Sequence, residues 1–317
     1  MSGPKKIAAL ALLVIASVAL FGVVFTLVHR PLVVGDIERQ LEFKLAYGAR
    51  LASPKIVVLA GSNGRFSHRC EPIAGPLGRP CVNASIGIGI GLDYQLGRWL
   101  PLLGAGDLVY MPLEYDQYRT SRAEMEGGLQ NALLVHGDRD RLMALGLRRV
   151  AAAYGSFDLP FLIHSLAEMT LDARGFHRRA STLSLTPQGD ERGHTAAASA
   201  AYAGFLQQAR FGRTDIGGPS HAQSVLGRFL GAARSRGVVV VGGLPTVPDS
   251  VTIADADVAA VRLIYERAGQ RFVALPGRSR YPLSCFFDTL YHLDEPCQIE
   301  HSRRVGDALA VLVPVLR

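Results

Sequence analysis

Lys55-Ile-Val-Val-Leu-Ala60, followed at once by Gly61-Ser62-Asn63-Gly64, decides the fold. After the leading lysine every side chain in the run is apolar. It has no face suited to water, which predicts a strand covered on both sides, as in a parallel sheet. The Gly/Ser/Asn cluster then turns the chain sharply away. Similar runs recur at Cys81–Ala84, Asp107–Pro112, Gly237–Val241 and Arg271–Leu275. Helical stretches lie between them, among them Asp93–Leu103 and Ala222–Arg236. This alternation predicts an α/β fold, a doubly wound parallel five-stranded sheet with helices on both faces. The region 118–220 interrupts it with helical segments at Asp138–Tyr154, Phe161–Arg174 and Ala196–Arg210, and with a polar loop at 175–194. It reads as a helical insertion after the third strand, serving as a lid or a partner surface.

Upstream, Ile7–Val28 is a 22-residue run without a charge. As a helix it measures roughly 33 Å, enough for a bilayer core. A cleaved signal peptide carries an apolar core of only ~7–15 residues, so the length predicts a retained transmembrane anchor. Lys5 and Lys6 precede the run, and Arg30, Asp36 and Glu38 follow it. That bias predicts residues 1–6 in the cytoplasm and the rest outside it. Residues 29–54 form a juxtamembrane helix and linker, with Ile37, Leu41, Leu45 and Ala46 at helical spacing. Residues 55–317 form the outer domain.

The four cysteines suit that placement. Cys70 and Cys81 lie 11 apart, and Cys285 and Cys297 lie 12 apart, so two local disulfides in an oxidising compartment are the simplest arrangement. A zinc site from Cys285, His292, Cys297 and His301 is the rival, with no familiar ligand spacing. Hydrophobic residues at 49% and charged residues at 19% exclude a disordered chain. The net charge of +7 rests almost wholly on arginine, since Lys5, Lys6, Lys44 and Lys55 are the only lysines. No basic run exceeds two residues, so the sequence predicts no nucleic-acid partner.

In a doubly wound sheet, ligands bind beyond the carboxyl ends of the strands. Ser62 stands at the first such end, and near the last lies Phe286-Phe287-Asp288-Thr289-Leu290-Tyr291-His292-Leu293. Asp288 and His292, four apart, share a helical face or one loop, and the carboxylate can orient the imidazole as a general base toward a serine. Taken singly, Ser62 also fits an ordinary β-turn, and the Asp/His pair a surface carboxylate with a packed histidine. Gly87-x-Gly89 lacks the third glycine of a dinucleotide fingerprint, having Leu92 at that position, although Asp107 supplies an acidic residue downstream. His68 and His301 read as bystanders, Trp99 as a core residue, and Pro245 and Pro248 as markers of a rim loop.

Together, Gly61-Ser62, Cys81-Val82-Asn83-Ala84-Ser85 and Asp288…Tyr291-His292-Leu293 resemble the SGNH/GDSL hydrolase superfamily. The closest likeness is to its membrane-anchored envelope branch, similar to proteins that O-acylate polysaccharides or teichoic acids. The resemblance spans about 55–119 and 237–317. It implies a flavodoxin-like fold, with Ser62 as nucleophile, His292 as base and Asp288 as its orienter. The oxyanion hole would combine the Ser62 N–H with Gly87, Gly89 or Gly91, or with Asn63 or Asn83. It further implies an acyl esterase or O-acetyltransferase in the bacterial inner membrane with a periplasmic domain. The substrate would be a carbohydrate or acyl ester, the partner a membrane acyltransferase, with no metal or dissociable cofactor. Two departures stand out. Asp288 and His292 are four apart where the family has three, and Leu113-Glu114-Tyr115 stands where many members place an oxyanion-hole Asn. An ionised Glu114 aimed at a developing oxyanion would raise the barrier, and loss of one hole donor alone costs on the order of 3 kcal/mol. The alternative is an inactive scaffold that binds polysaccharide or a membrane partner during envelope glycan modification or export.

Overall fold

The computed structural model describes residues 3–176 and 184–312; part of the expected 175–194 loop, 177–183, and the extreme termini lie outside the described residues. In chain order the elements begin with α1 (Gly3–Leu27), α2 (Val34–Arg50), β1 (Ile56–Val58), α3 (Ser62–Ser67), α4 (Cys70–Ala74), β2 (Cys81–Asn83), α5 (Leu92–Trp99), β3 (Leu108–Met111) and α6 (Tyr115–Arg119). Five helices follow: α7 (Arg122–Gly127), α8 (Gln130–His136), α9 (Arg139–Ala144), α10 (Leu147–Gly155) and α11 (Leu159–Ala173). The chain then forms α12 (Ala196–Ser199), α13 (Ala203–Gln208), α14 (His221–Ser235), β4 (Val239–Gly242), β5 (Val247–Pro248), α15 (Asp255–Arg267), β6 (Arg271–Phe272), β7 (Arg280–Tyr281) and α16 (Glu295–Leu312).

These elements divide into two compact units. One comprises Arg39–Met125 and Ser181–Arg317. It holds a five-stranded, wholly parallel sheet in the order β2-β1-β3-β4-β6; four strands fall within apolar runs read from the sequence, and β4 extends one residue past its run, to Gly242. In register, Val57 lies between Val82 and Val109. Ile56, Val58, Leu108, Tyr110 and Val241 pack with Ile73, Val305 and Leu309 in the core. At the amino ends of the strands a buried Lys55–Asp107 ion pair of 3.0 Å ties β1 to β3. Asp107 also accepts the Lys55 and Gly104 N–H groups, so it is a strut far from any nucleotide-binding role. The strand order reverses between β1 and β3, and the crevice beyond their carboxyl ends is the binding position of such sheets. Ser62 follows β1, and Glu114 follows β3.

The other unit comprises Met1–Glu38 and Glu126–Ala180. Its α1 is long and apolar enough to cross a membrane. The stretch expected as one insertion, 118–220, is therefore shared: 126–180 belong with α1, and the remainder with the sheet. The single helix expected over Asp138–Tyr154 is broken into α9 and α10 at Gly146, whose φ of +89° no helix accommodates. The one expected over Ala196–Arg210 is split into α12 and α13 by a 3₁₀ turn at Ala200–Tyr202.

Disulfides join Cys70 to Cys81 and Cys285 to Cys297. The first ties α4 to β2. The second brackets the loop carrying Asp288 and His292, and it leaves neither sulfur as a thiolate for zinc.

Candidate active site

Helix α3 opens at Ser62, with extended backbone at Gly61 before it (φ −73°, ψ −154°). Only glycine fits at position 64: a Cβ there would stand 2.7 Å from Ser85 Cβ and 2.8 Å from Ala60 Cβ. The close approach sets α3 directly on the loop after β2 and aims Ser62 into the crevice opposite β3. Its Oγ donates to Glu114 Oε1 at 3.1 Å, and the Asn63 N–H donates to the same oxygen at 3.0 Å. Glu114 is only 3% exposed. Burial pushes its carboxyl above the usual range, opposed by the Asn63 N–H, by His292 and by the Ser62 hydroxyl.

Asp288 and His292 stand on a loop, not on a helix. The chain is pinched by the Phe286–Leu293 bridge and by the Phe287 N–H donating to the His292 carbonyl at 2.8 Å. This turn accommodates the four-residue spacing and places His292 Nδ1 at 2.6 Å from Asp288 Oδ1. Taking Nδ1 as the protonated nitrogen, which the carboxylate favours, Nε2 retains its lone pair. The imidazole stacks on Phe66, with centroids 4.3 Å apart and planes at 14°. Phe66 lies four residues after Ser62, on the same side of α3. Polar bonds fasten α3 to the loop as well. Ser67 Oγ donates to the Tyr291 carbonyl at 2.9 Å and accepts the Leu293 N–H at 3.1 Å, while Thr246 Oγ1 reaches the same Tyr291 carbonyl at 2.7 Å. Ser62, Glu114, Asp288 and His292 therefore share one neighbourhood at the topological switch point.

The candidate oxyanion donors are placed very differently. Asn83 spends its amide N–H groups on the Gly64 and His68 carbonyls, and its oxygen accepts the Ser85 N–H. Asn63 Nδ2 donates to the Pro112 carbonyl at 2.8 Å, while its Oδ1 is buried without a partner. Both amides serve the framework. Gly87 and Gly89 lie on the loop after β2, where an added Cβ would meet open space, and Gly91 caps α5 with φ +77°.

Sequence reasoning missed the supports. Phe66 was legible from its i+4 spacing to Ser62, but Ser67 and Thr246 meet Tyr291 only through the fold. His68 and His301 are not bystanders. His301 lies inside α16, and the two rings form a buried chain beneath α3. In the tautomers that complete it, Tyr281 O–H donates to His301 Nδ1 (2.8 Å), His301 Nε2–H to His68 Nε2 (3.1 Å), and His68 Nδ1–H to the Asn63 carbonyl (3.4 Å). Burial lowers the His68 imidazole to about 4 and pushes His301 well down too, so both are neutral. Lys44 of α2 is equally hidden. It donates to the Ser85 carbonyl, and burial, followed by Arg65, lowers its ammonium to about 7.

No family model and no curated protein matches the chain. Among solved structures it is similar to the crystal structure of protein YxiM from Bacillus subtilis, at 10% identity with a TM-score of 0.40. The match covers 83% of this chain and 58% of that one, so this chain spans little more than half of its structural neighbour.

Proposed function

We propose that the chain is a membrane-anchored serine acyl esterase or O-acyl(acetyl)transferase acting on an envelope or exported polysaccharide. One observation carries this reading: the 2.6 Å Asp288–His292 pair is stacked on the helix that begins at Ser62. In the first step Ser62 Oγ attacks the acyl carbonyl as His292 Nε2 takes its proton. Asp288 holds the imidazolium, which then protonates the departing alkoxide. Water or a sugar hydroxyl next attacks the acyl-serine, with His292 again the base, and Ser62 is regenerated. Glu114 stands where similar proteins carry an asparagine; burial pushes its carboxyl upward, and in its protonated form it can donate to the developing oxyanion. Helix α1 anchors the chain in the inner membrane with residues 1–6 in the cytoplasm and the sheet-bearing unit in the periplasm. The two disulfides support an oxidising compartment. A membrane acyltransferase is the partner that would deliver the acyl group.

A second reading, an inactive polysaccharide-binding scaffold, is favoured by Glu114 occupying both the Ser62 hydroxyl and the Asn63 N–H. Purified protein with p-nitrophenyl acetate and a serine-directed fluorophosphonate separates the two. The enzyme reading expects labelling of wild type that disappears in Ser62→Ala and falls roughly 10²–10⁴-fold in rate in His292→Ala. Well-folded wild type that neither labels nor turns over overturns the enzyme reading.

A further inference from the structure

Helix α11 is built inside out. Ser165 and Glu168 are buried, while Leu159, Ile163 and Leu166 are 66%, 56% and 50% exposed. Their spacing of four and three residues places these three apolar side chains on one face. On the buried polar side, Glu168 finds its partners within this unit, while Ser165 Oγ is buried without one. Glu168 pairs with Arg30 at 2.7 Å and accepts the Leu32 and Val33 N–H groups at 3.1 Å. The apolar side faces outward, as does the α9–α10 turn with Met143, Leu145 and Leu147.

The position of α11 along α1 identifies what covers that face. Phe25, the buried residue of a largely exposed α1, stacks on Phe157 at 5.2 Å and meets Phe161 at 6.2 Å. Thr26 Oγ1 and Tyr154 O–H are 2.7 Å apart. Phe25 precedes the end of the apolar run at Val28 by three residues, roughly 4–5 Å along a helix. The amino end of α11 is therefore level with the last turn of the span, where lipid headgroups meet acyl chains.

We infer that α11 is an interfacial membrane helix, its Leu159–Ile163–Leu166 face immersed in the acyl boundary of the same bilayer that α1 crosses. This rests on the proposed anchoring by α1, and it assigns a lipid surface to a segment that the chemistry at Ser62 leaves unused. An outward apolar stripe with an inward ion pair reverses the pattern of a water-exposed helix and matches one that lies in the interface.

The test uses full-length protein with its native cysteines left paired. Single variants Leu159→Cys, Ile163→Cys and Leu166→Cys are labelled with an environment-sensitive nitrobenzoxadiazole dye and reconstituted in phosphatidylcholine vesicles brominated at shallow acyl positions. Leu20→Cys in the span and Ser235→Cys at the exposed end of α14 are the references, and unchanged thermal unfolding certifies each variant. The inference expects quenching at all three positions within about twofold of Leu20→Cys, and almost none at Ser235→Cys. Quenching at Leu20→Cys alone overturns it: a red-shifted dye on α11 then means a water-facing helix, and a blue-shifted, unquenched one a protein-covered helix. Absence of quenching even at Leu20→Cys defeats the anchoring itself, and the interfacial helix with it.

Discussion

At Ser62 the hydroxyl donates to Glu114, not to an imidazole, and the pH dependence of the site follows from that carboxyl. Burial raises the folded pKa of Glu114 above its ordinary 4.5. Its contribution to stability is therefore complete below that ordinary value and is lost as pH rises through the folded one. Glu114→Gln keeps the acceptor oxygen and removes the ionisation. Urea midpoints from about pH 4 to about pH 8 are expected to favour the Gln variant increasingly as pH rises. Parallel curves would refute a titrating Glu114. On the enzyme reading, wild-type turnover also declines on the alkaline side of this ionisation and the Gln profile does not. The sequence singled out Ser62, Asp288 and His292 by their places beside strand ends. It could not say where Glu114 pointed, because that depends on how closely α3 approaches β3.

At the scale of elements, α3 joins the two halves of the site. Its first residue meets Glu114, its fifth stacks on His292, and its sixth holds the Tyr291 carbonyl. All of this requires the close approach at Gly64. Gly64→Ala is expected to destabilise the fold by about 1–3 kcal/mol through overpacking against Ser85 and Ala60, read as a lower urea midpoint. An unchanged midpoint would show that α3 can shift freely. The strands were legible because uninterrupted apolar runs suit a sheet buried on both faces. The helices of the insertion were legible as helices, but their ends were not. Gly146 breaks the chain with a positive φ that periodicity does not reveal.

Across the whole molecule, covalent links and the apolar helix both bear on compartment. Cys285–Cys297 closes a short loop around Asp288 and His292, and such loops contribute about 3 kcal/mol. Cys285→Ser/Cys297→Ser is expected to lose roughly that much in denaturant unfolding and to slow fluorophosphonate labelling, since the turn holding the pair is released. Equal stability and labelling would mean that local packing alone holds the loop. The apolar excess at 7–28 and the parallel five-stranded sheet were determined by the sequence, whose cysteine spacing made two local disulfides the simplest of three pairings, the one the fold adopts. Each depends on local composition, on short spacing, or on the rule that a strand without polar residues must be covered. Tertiary structure alone decided the rest: Glu114 beneath the Ser62 hydroxyl, the His68–His301–Tyr281 chain under α3, and the inside-out face of α11. These depend on contacts between residues far apart in the chain, whose desolvation and direction only packing sets.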